Sequence, residues 1–516
     1  MPISAGPGLS GAQTFETVAA VDVVEAALAA HLADSTIVHG ITDTANVVSA
    51  YSPLGYGAVG NDSTDDSAAL QACITAAASA GVAVDLRGKT YKTTVALGLP
   101  AGSYLTNGSI HCTGTGQKIL DITGSNVTVR QVDIIGRHAT ATSSTNEYGI
   151  RATGASAAAP LTNIVLNQVS VTLTGAYGFS LKWVDGFDII DCHLTDLGFC
   201  GVQGLSVLNG TISGNRIDNV LLIGGNGYGI ILTRDAAVDS LVDHPCCADV
   251  VIRGNIVTGI DWEGIDTHGG DRITISDNVV TNCETGISVG PASGATGELY
   301  APHQISVSDN IIDSSLTDGT RGPGILYAGA VGASASAAAT DYATGLIVGN
   351  VVKGHGGQSN FNSGAVFMRN TRGVTVAANN IQEPSPFAVQ LYYDNREVNI
   401  TGNTVIDAWA TAANIPGVVG ATSTNNTGSI VGNTLVRGDK TATYVNDCAV
   451  RSPSPADGNA LVVAGNSFTA ATTTLSNTAA ILAGFYGTDP VTKQTGVAVS
   501  AAGVHAALVN LGLIGA

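Results

Sequence analysis

Short runs of alternating apolar and polar residues recur along the chain. The clearest share one form: apolar, any residue, small or Asp, Asn, any residue, apolar. It reads ISGNRI from Ile212, IRGNIV from Ile252, ISDNVV from Ile275, VSDNII from Val307 and IVGNVV from Ile347. It continues as VAANNI from Val376, ITGNTV from Ile400, IVGNTL from Ile430 and VAGNSF from Val463. Weaker copies precede these: IVLNQV from Ile164, and IIDCHL from Ile189 with Cys192 in the Asn place. Alternation with period two predicts a short strand in each copy, bent at the Asn. Asn tolerates the left-handed region and bonds nearby backbone, and stacked asparagines can bond one another as a ladder.

A second signature lies between the first: YGIRA, YGFSL, CGVQG, YGIIL, EGIDT, TGISV, PGILY and SGAVF. Each is a turn residue and Gly followed by another alternating strand. The Asn-to-Asn steps from Asn215 to Asn466 are 40, 23, 32, 40, 29, 24, 30 and 33 residues. A coil of about 23 residues with variable insertions explains them. Two or three short strands per coil, with no helical period, predict an all-β chain wound as a right-handed parallel β-helix solenoid. At about 4.8 Å per coil, about eleven coils make a rod of roughly 50 Å.

An open solenoid end needs a cap. The stretch from Gly55, GYGAVGNDSTDDSAALQACITAAASAGVAVDLRGKTYKTT, predicts a capping helix over about 65–80. Thr64 is placed as N-cap, with Asp65 and Asp66 in the first turn as capping acids rather than catalysts. Leu70, Cys73, Ile74 and Ala77 form its apolar face, Gly81 stops it, and Val82, Val84 and Leu86 begin the first strand. This stretch resembles the opening motif of the pectate-lyase-like β-helix superfamily, common in phage tailspikes. The resemblance covers about forty residues and implies fold more than reaction. The first fifty residues (EAALAAHLADSTIVHGITDTANV) and the tail (GTDPVTKQTGVAVSAAGVHAALVNLGLIGA) resemble segments of actinobacterial phage tail proteins. Helices are expected over 19–34, with Val24, Leu28 and Leu32 on one face, and over 500–512. The expected organisation is an attachment or oligomerisation segment over 1–50, the β-helix over 51–470, and a short C-terminal segment over 471–516.

Composition narrows the partners. The 516 residues include 65 glycines and carry a formal charge of −19, with only 12% charged. That argues against nucleic acid, which needs clustered Lys and Arg. No run of 18 apolar residues predicts a membrane span, and the N-terminal stretch does not read as a secretory signal. The eight cysteines fit no zinc spacing and read as small core residues.

Chemistry is sought among residues pointing out of the wall. Aligning the Gly-containing strands predicts outward pairs: Arg151 and Thr153, Ser180 and Lys182, Gln203 and Leu205, Ile231 and Thr233, then Asp266 and His268. Further on come Ser288 and Gly290, Leu326 and Ala328, Val366 and Met368, then Gln390 and Tyr392. Charge gathers at Lys182, Arg234, Asp266 and His268. An imidazole can exchange a proton near neutral pH, with Asp266 orienting it. Arg234, one coil earlier, could hold a uronate carboxylate bidentately. These three are the catalytic expectation; Lys182, Asp235, Glu263, Tyr392, Tyr393 and Arg369 are the expected substrate contacts. EGIDTH also resembles the catalytic strand of mannuronan epimerases, Tyr-Gly-Phe-Asp-Pro-His, with Asp266 and His268 on its Asp and His and Glu263 replacing its Tyr. That implies β-elimination or C5 epimerisation. Hydrolysis by two carboxylates, Asp266 with Asp235 or Glu263, stays open. The dispersed signs of polygalacturonases are not assembled; GHGG at Gly354–Gly357 is similar to one piece and reads as a turn.

The resemblances together imply a phage tail protein acting outside the cell, without a signal peptide. It would bind and depolymerise a host surface polysaccharide. A homotrimer in a tail or baseplate is the family expectation. No cofactor is expected, with Ca2+ left open. The alternatives are a receptor-binding or structural tail protein without turnover, and a secreted uronan lyase or epimerase.

Overall fold

The computed structural model describes residues 50–482 apart from 141–146, 223–225, 236–239, 295–298, 315–321, 332–338, 357–363, 385–386, 407–416, 422–423, 437–447, 452–458, 469–472 and 477–480. The helices expected over 19–34 and 500–512 lie outside these residues. Ser52–Ala516 separates as one compact unit; of the preceding unit, Met1–Tyr51, only the strand Ala50–Tyr51 is described.

Each coil holds three strands, and each strand pairs in parallel with its counterpart in the next coil. One coil runs through Leu208–Ser213, Arg216–Val220 and Tyr228–Thr233. The next runs through Ala248–Arg253, Ile256–Ile260 and Glu263–His268. Eleven such coils lie between Leu161 and Ser476. Ile212, Ile252, Ile275, Val307, Ile347, Val376, Ile400, Ile430 and Val463 are partners in one continuous column. All are buried. Each such side chain contributes roughly 1.5–3 kcal/mol by leaving water.

The asparagine ladder is present, with its bend one residue earlier than expected. The left-handed residue is the one before each Asn: Gly214, Gly254, Asp277, Asp309, Gly349, Ala378, Gly402, Gly432 and Gly465. This explains why that position is small or Asp. The asparagines themselves turn inward. Asn255 Nδ2 donates to Asn278 Oδ1 at 2.9 Å and to Ile212 O at 3.0 Å. Its own Oδ1 accepts from Asn215 Nδ2 at 2.9 Å and Asn215 N at 3.0 Å. The pattern repeats to Asn466, so every buried amide is satisfied inside the stack. Cys192 does stand in the Asn place, its N–H donating to Asn215 Oδ1. IVLNQV is two residues out of frame: Asn167 pairs with Ile190, and Val169 holds the corner. A second stack, Thr371, Asn395, Asn426 and Asn459, lines another corner and was not read from the sequence.

The capping helix spans Ser67–Ala80 and buries Leu70, Cys73, Ile74 and Ala77 as expected. Gly81 (φ 68°) ends it, its N–H bonding Ala77 O and Ala78 O. Thr64 is not its N-cap, because Asn61–Asp65 pairs as a strand. Asp65 Oδ1 accepts the Ser67 N–H, and Asp66 turns away to accept from Val59 N and Gly60 N at 2.7 and 2.9 Å. Both acids are structural. All seven described cysteines are free, six of them buried. No described helix is long and apolar enough to cross a membrane.

Candidate functional site

The spacing of EGIDTH follows from a corner. Gly264 and Ile265 both face inward: a side chain at Gly264 would strike Val280 Cγ1 at 2.5 Å, and Ile265 is fully buried. Two successive inward residues carry Glu263 around to the outer side, where normal alternation then sets Asp266 and His268. Ligand atoms of all three lie within 4.8 Å of one another. On the next rung Thr285, Ser288 and Gly290 stand beside Glu263, Asp266 and His268; on the previous rung Tyr228 and Ile231 stand beside Glu263 and Asp266. Gly290 offers no side chain to cover the imidazole.

The wall here is closed over rather than solvated. Asp266 is 0% exposed and Glu263 5%, while the His268 side chain is 29% exposed. His268 Nε2 lies 3.1 Å from Asp266 Oδ2, yet neither Asp266 oxygen nor Glu263 Oε2 has a hydrogen-bond partner of good geometry. Burial pushes both carboxyls up to about 8, with Asp266 adding to the rise at Glu263 and the Ser288 hydroxyl easing each. Burial holds the imidazole below its ordinary value, with Glu263 pulling the other way. Burial, then the acids Asp266 and Glu263, raise the Tyr228 phenol far above its ordinary range, so it stays protonated.

Two insertions, one after strand Tyr228–Thr233 and one after strand Thr285–Gly290, close on the end of the Asp266 strand at Gly269, beside Cys246, Ala292 and Tyr300. Arg234 ties them together. Its Nε donates to His244 O at 2.9 Å, Nη1 to Ser293 O at 3.0 Å and Nη2 to Ser240 O at 3.3 Å. Its guanidinium lies 4.9 Å from the Tyr300 ring centre, and it is 2% exposed. The structure therefore places Arg234 as a clasp between loops, not as a group presented to a ligand. Lys182 and Asp235 meet at 3.0 Å, with Lys182 Nζ 4.3 Å over the Trp183 ring. Trp183 Nε1 donates to Asp243 O, and His244 Nδ1 is 3.9 Å from Asp235. This cluster secures the same insertion, with Lys182 three rungs, about 14 Å, from the Asp266 strand.

Arg369 and the pair Tyr392 and Tyr393 lie three and four rungs beyond it, about 14 and 19 Å along the axis, outside the Asp266 cluster. The outward residues there are Phe367 and Arg369; Val366 and Met368 face the core. The extra Ala365 in SGAVF causes the offset, since Ala365 and Val366 occupy the places of Gly264 and Ile265. Tyr228 and Trp262, missed as neighbours of the site, were visible in the repeats. Tyr148, Tyr177, Cys200, Tyr228, Glu263 and Thr285 form one aligned column. Rings pack along it, from Tyr148 on Tyr177 at 4.6 Å to Tyr228 on Trp262 at 5.2 Å. A cleft of about 200 Å³ at Gln117, Arg137, Glu147 and Tyr148 is four rungs away. Its Glu147 is fully bonded, to Arg137, His138 and two backbone N–H groups.

The family described as the right-handed β-helix region matches residues 108–312. No curated protein sequence matches the chain. Solved structures do. The catalytic unit of a GH87 α-1,3-glucanase from Streptomyces thermodiastaticus is 16% identical at a TM-score of 0.53, covering 83% of this chain and 70% of that one. The N-terminal fragment of gene product 12 of bacteriophage Phi29 is 15% identical at 0.53, covering 83% and 72%. The tailspike protein of E. coli bacteriophage HK620 is 11% identical at 0.52, covering 88% and 83%. The chain is a right-handed parallel β-helix protein with the fold of phage tailspikes.

Proposed function

We propose that the chain is a phage tail protein that binds a host surface polysaccharide along its wall and cleaves it at Glu263, Asp266 and His268. The observation that supports this most is the trio itself. Two carboxyls and an imidazole converge, both acids buried, with carboxyl oxygens outside any well-formed hydrogen bond. Unsatisfied buried polar groups of this kind are characteristic of sites held ready for a ligand. The similarity to a glucanase and a tailspike agrees with the reading at the level of fold. His268 is the member of the trio exposed enough to meet a sugar, so it carries the proton transfer. Asp266, behind it at 3.1 Å, is a positioning residue. The Glu263–Asp266 separation is shorter than the roughly 6.5–9.5 Å needed to seat a water between two carboxyls. Inverting hydrolysis by that pair is therefore disfavoured.

Incubation with host capsule or wall polysaccharide, followed by sizing, tests the proposal. Shortened chains with new unsaturated-uronate absorbance identify elimination, and shortened chains with new reducing ends alone identify hydrolysis. Retained glycan binding with no shortening would leave the receptor-binding reading, which the full burial of Asp266 favours. The homotrimer belongs to the same proposal. It has a surface to form on: Ile256 and Ile311 are 42% and 48% exposed and lie in one row with Val279 and Val351. A row with the rung spacing is matched best by another rod of the same spacing.

A further inference from the structure

We infer that Glu263, Asp266 and His268 form a binding site for one first-row divalent cation of the Zn2+ or Mn2+ type. Three donors, two carboxyls and one imidazole, already stand with ligand atoms within 4.8 Å of one another, so side-chain shifts of a few tenths of an ångström bring them within the at most about 4.4 Å that separates two donors on one ion at about 2.0–2.2 Å. A cluster of acids alone would mean little. Here Asp266 is wholly buried with neither oxygen in a well-formed hydrogen bond, His268 Nε2 lying 3.1 Å from Oδ2, and Glu263 is 5% exposed with Oε2 likewise unbonded. Two carboxyls side by side, off water and short of hydrogen bonds, can ionise together only beside a positive charge. Arg234, one rung away, is directed to three carbonyls of the covering loops. A divalent cation supplies that charge and balances two carboxylates with a neutral imidazole.

The donor set selects the class of ion. Ca2+ takes six to eight oxygens in an open cage; this site presents a nitrogen and two carboxyls crowded on one strand. Mixed nitrogen and carboxylate ligands suit Zn2+ and Mn2+. Ser288, set opposite Asp266 on the next rung, is placed to orient the carboxyls from behind. His268 and the side-chain-free Gly290 mark the open side, where a water or a sugar hydroxyl completes the coordination. The existence of the site does not depend on glycan cleavage; His268 carries the proton proposed above in the cation-free protein and is a ligand in the loaded one, so the link to turnover rests on that proposed function.

The test is calorimetric titration of the full chain with Zn2+, Mn2+ and Ca2+ after treatment with chelator. One equivalent of Zn2+ or Mn2+ per chain is expected, with a rise in Tm. Binding should be at least tenfold weaker in Asp266→Asn and in Glu263→Gln. It should be unchanged in His303→Gln, which removes an exposed His–Asp pair elsewhere. Absence of a stoichiometric site in folded protein overturns the inference, as does undiminished binding in the Asp266→Asn/Glu263→Gln double variant. Circular dichroism confirms the fold of each variant. A protein that shortens glycan yet binds no stoichiometric Zn2+ or Mn2+ defeats the cation inference and leaves the proposed function standing. A cation site on a protein that shortens no glycan does the reverse.

Discussion

At the residue scale, the position before each ladder Asn is where a single methyl group matters most. Eight of those nine residues are Gly or Asp, and Ala378 holds a left-handed φ of 53° with a Cβ attached. That conformation costs an L-residue roughly 1–2 kcal/mol. Ala378→Gly is expected to stabilise the protein by about 1 kcal/mol, part of the gain being offset by the freer unfolded chain. The urea midpoint measures it. The sequence pattern already held this position as small or Asp, but it pointed to the Asn as the bend. The two readings differ by one residue because both Gly and Asn tolerate left-handed backbone. Only the inward turn of the Asn side chain, committed to its neighbours in the ladder, separates them. The second stack was illegible for a related reason. Asn395, Asn426 and Asn459 lack the flanking apolar frame that makes the first stack repeat.

At the element scale, strand order and the outward rows, save the shifted pair at Val366 and Met368, were legible from the Gly-containing repeats, and Asp266 and His268 fall where those repeats put them. Their burial was not legible. Neighbouring rungs set Tyr228, Ile231, Thr285 and Ser288 beside the acids, and two insertions meet near the strand end through Arg234 and Ser293, a meeting with no signature in either coil. Arg234 gives a direct contrast. As a clasp, its change to Met leaves three carbonyls without a donor and is expected to cost about 2–4 kcal/mol, with Arg234→Lys failing to rescue because one ammonium cannot span them. As a uronate ligand it would weaken glycan binding and leave Tm unchanged. Thermal denaturation beside a binding isotherm separates the two.

The edge of strand Tyr148–Thr153 carries a pH-dependent element. Burial raises the Glu147 carboxyl, but bonds from Arg137, the Gly116 N–H and His138 outweigh it, and the net value lies below the ordinary 4.5. A depressed folded value means that the unfolded chain takes up the proton first as pH falls. The stabilisation is complete above the unfolded value and is lost as pH drops through the folded one. Glu147→Gln should therefore lower stability at neutral pH and flatten the loss of stability below about pH 4.5, as read from urea midpoints across pH.

At the scale of the whole molecule, the eleven coils make a rod with long parallel rows, a surface suited to an extended polymer. Its charge of −19 disfavours nucleic acid as that polymer. If copies pair along the apolar row, sedimentation will show a trimer, and Ile311→Asp will shift it toward monomer without unfolding the rod. A charge at that exposed position perturbs a contact surface and leaves the core untouched. A monomer in both proteins would remove the trimer from the account.

The central claim is that His268 moves a proton on a bound glycan. The most direct measurement is the initial rate of polysaccharide shortening by His268→Ala against the unaltered chain, with glycan affinity measured on the same samples. Removal of a general acid or base is expected to slow cleavage about 10²–10⁴-fold, with affinity kept within a few-fold. Unchanged cleavage in His268→Ala would contradict the account.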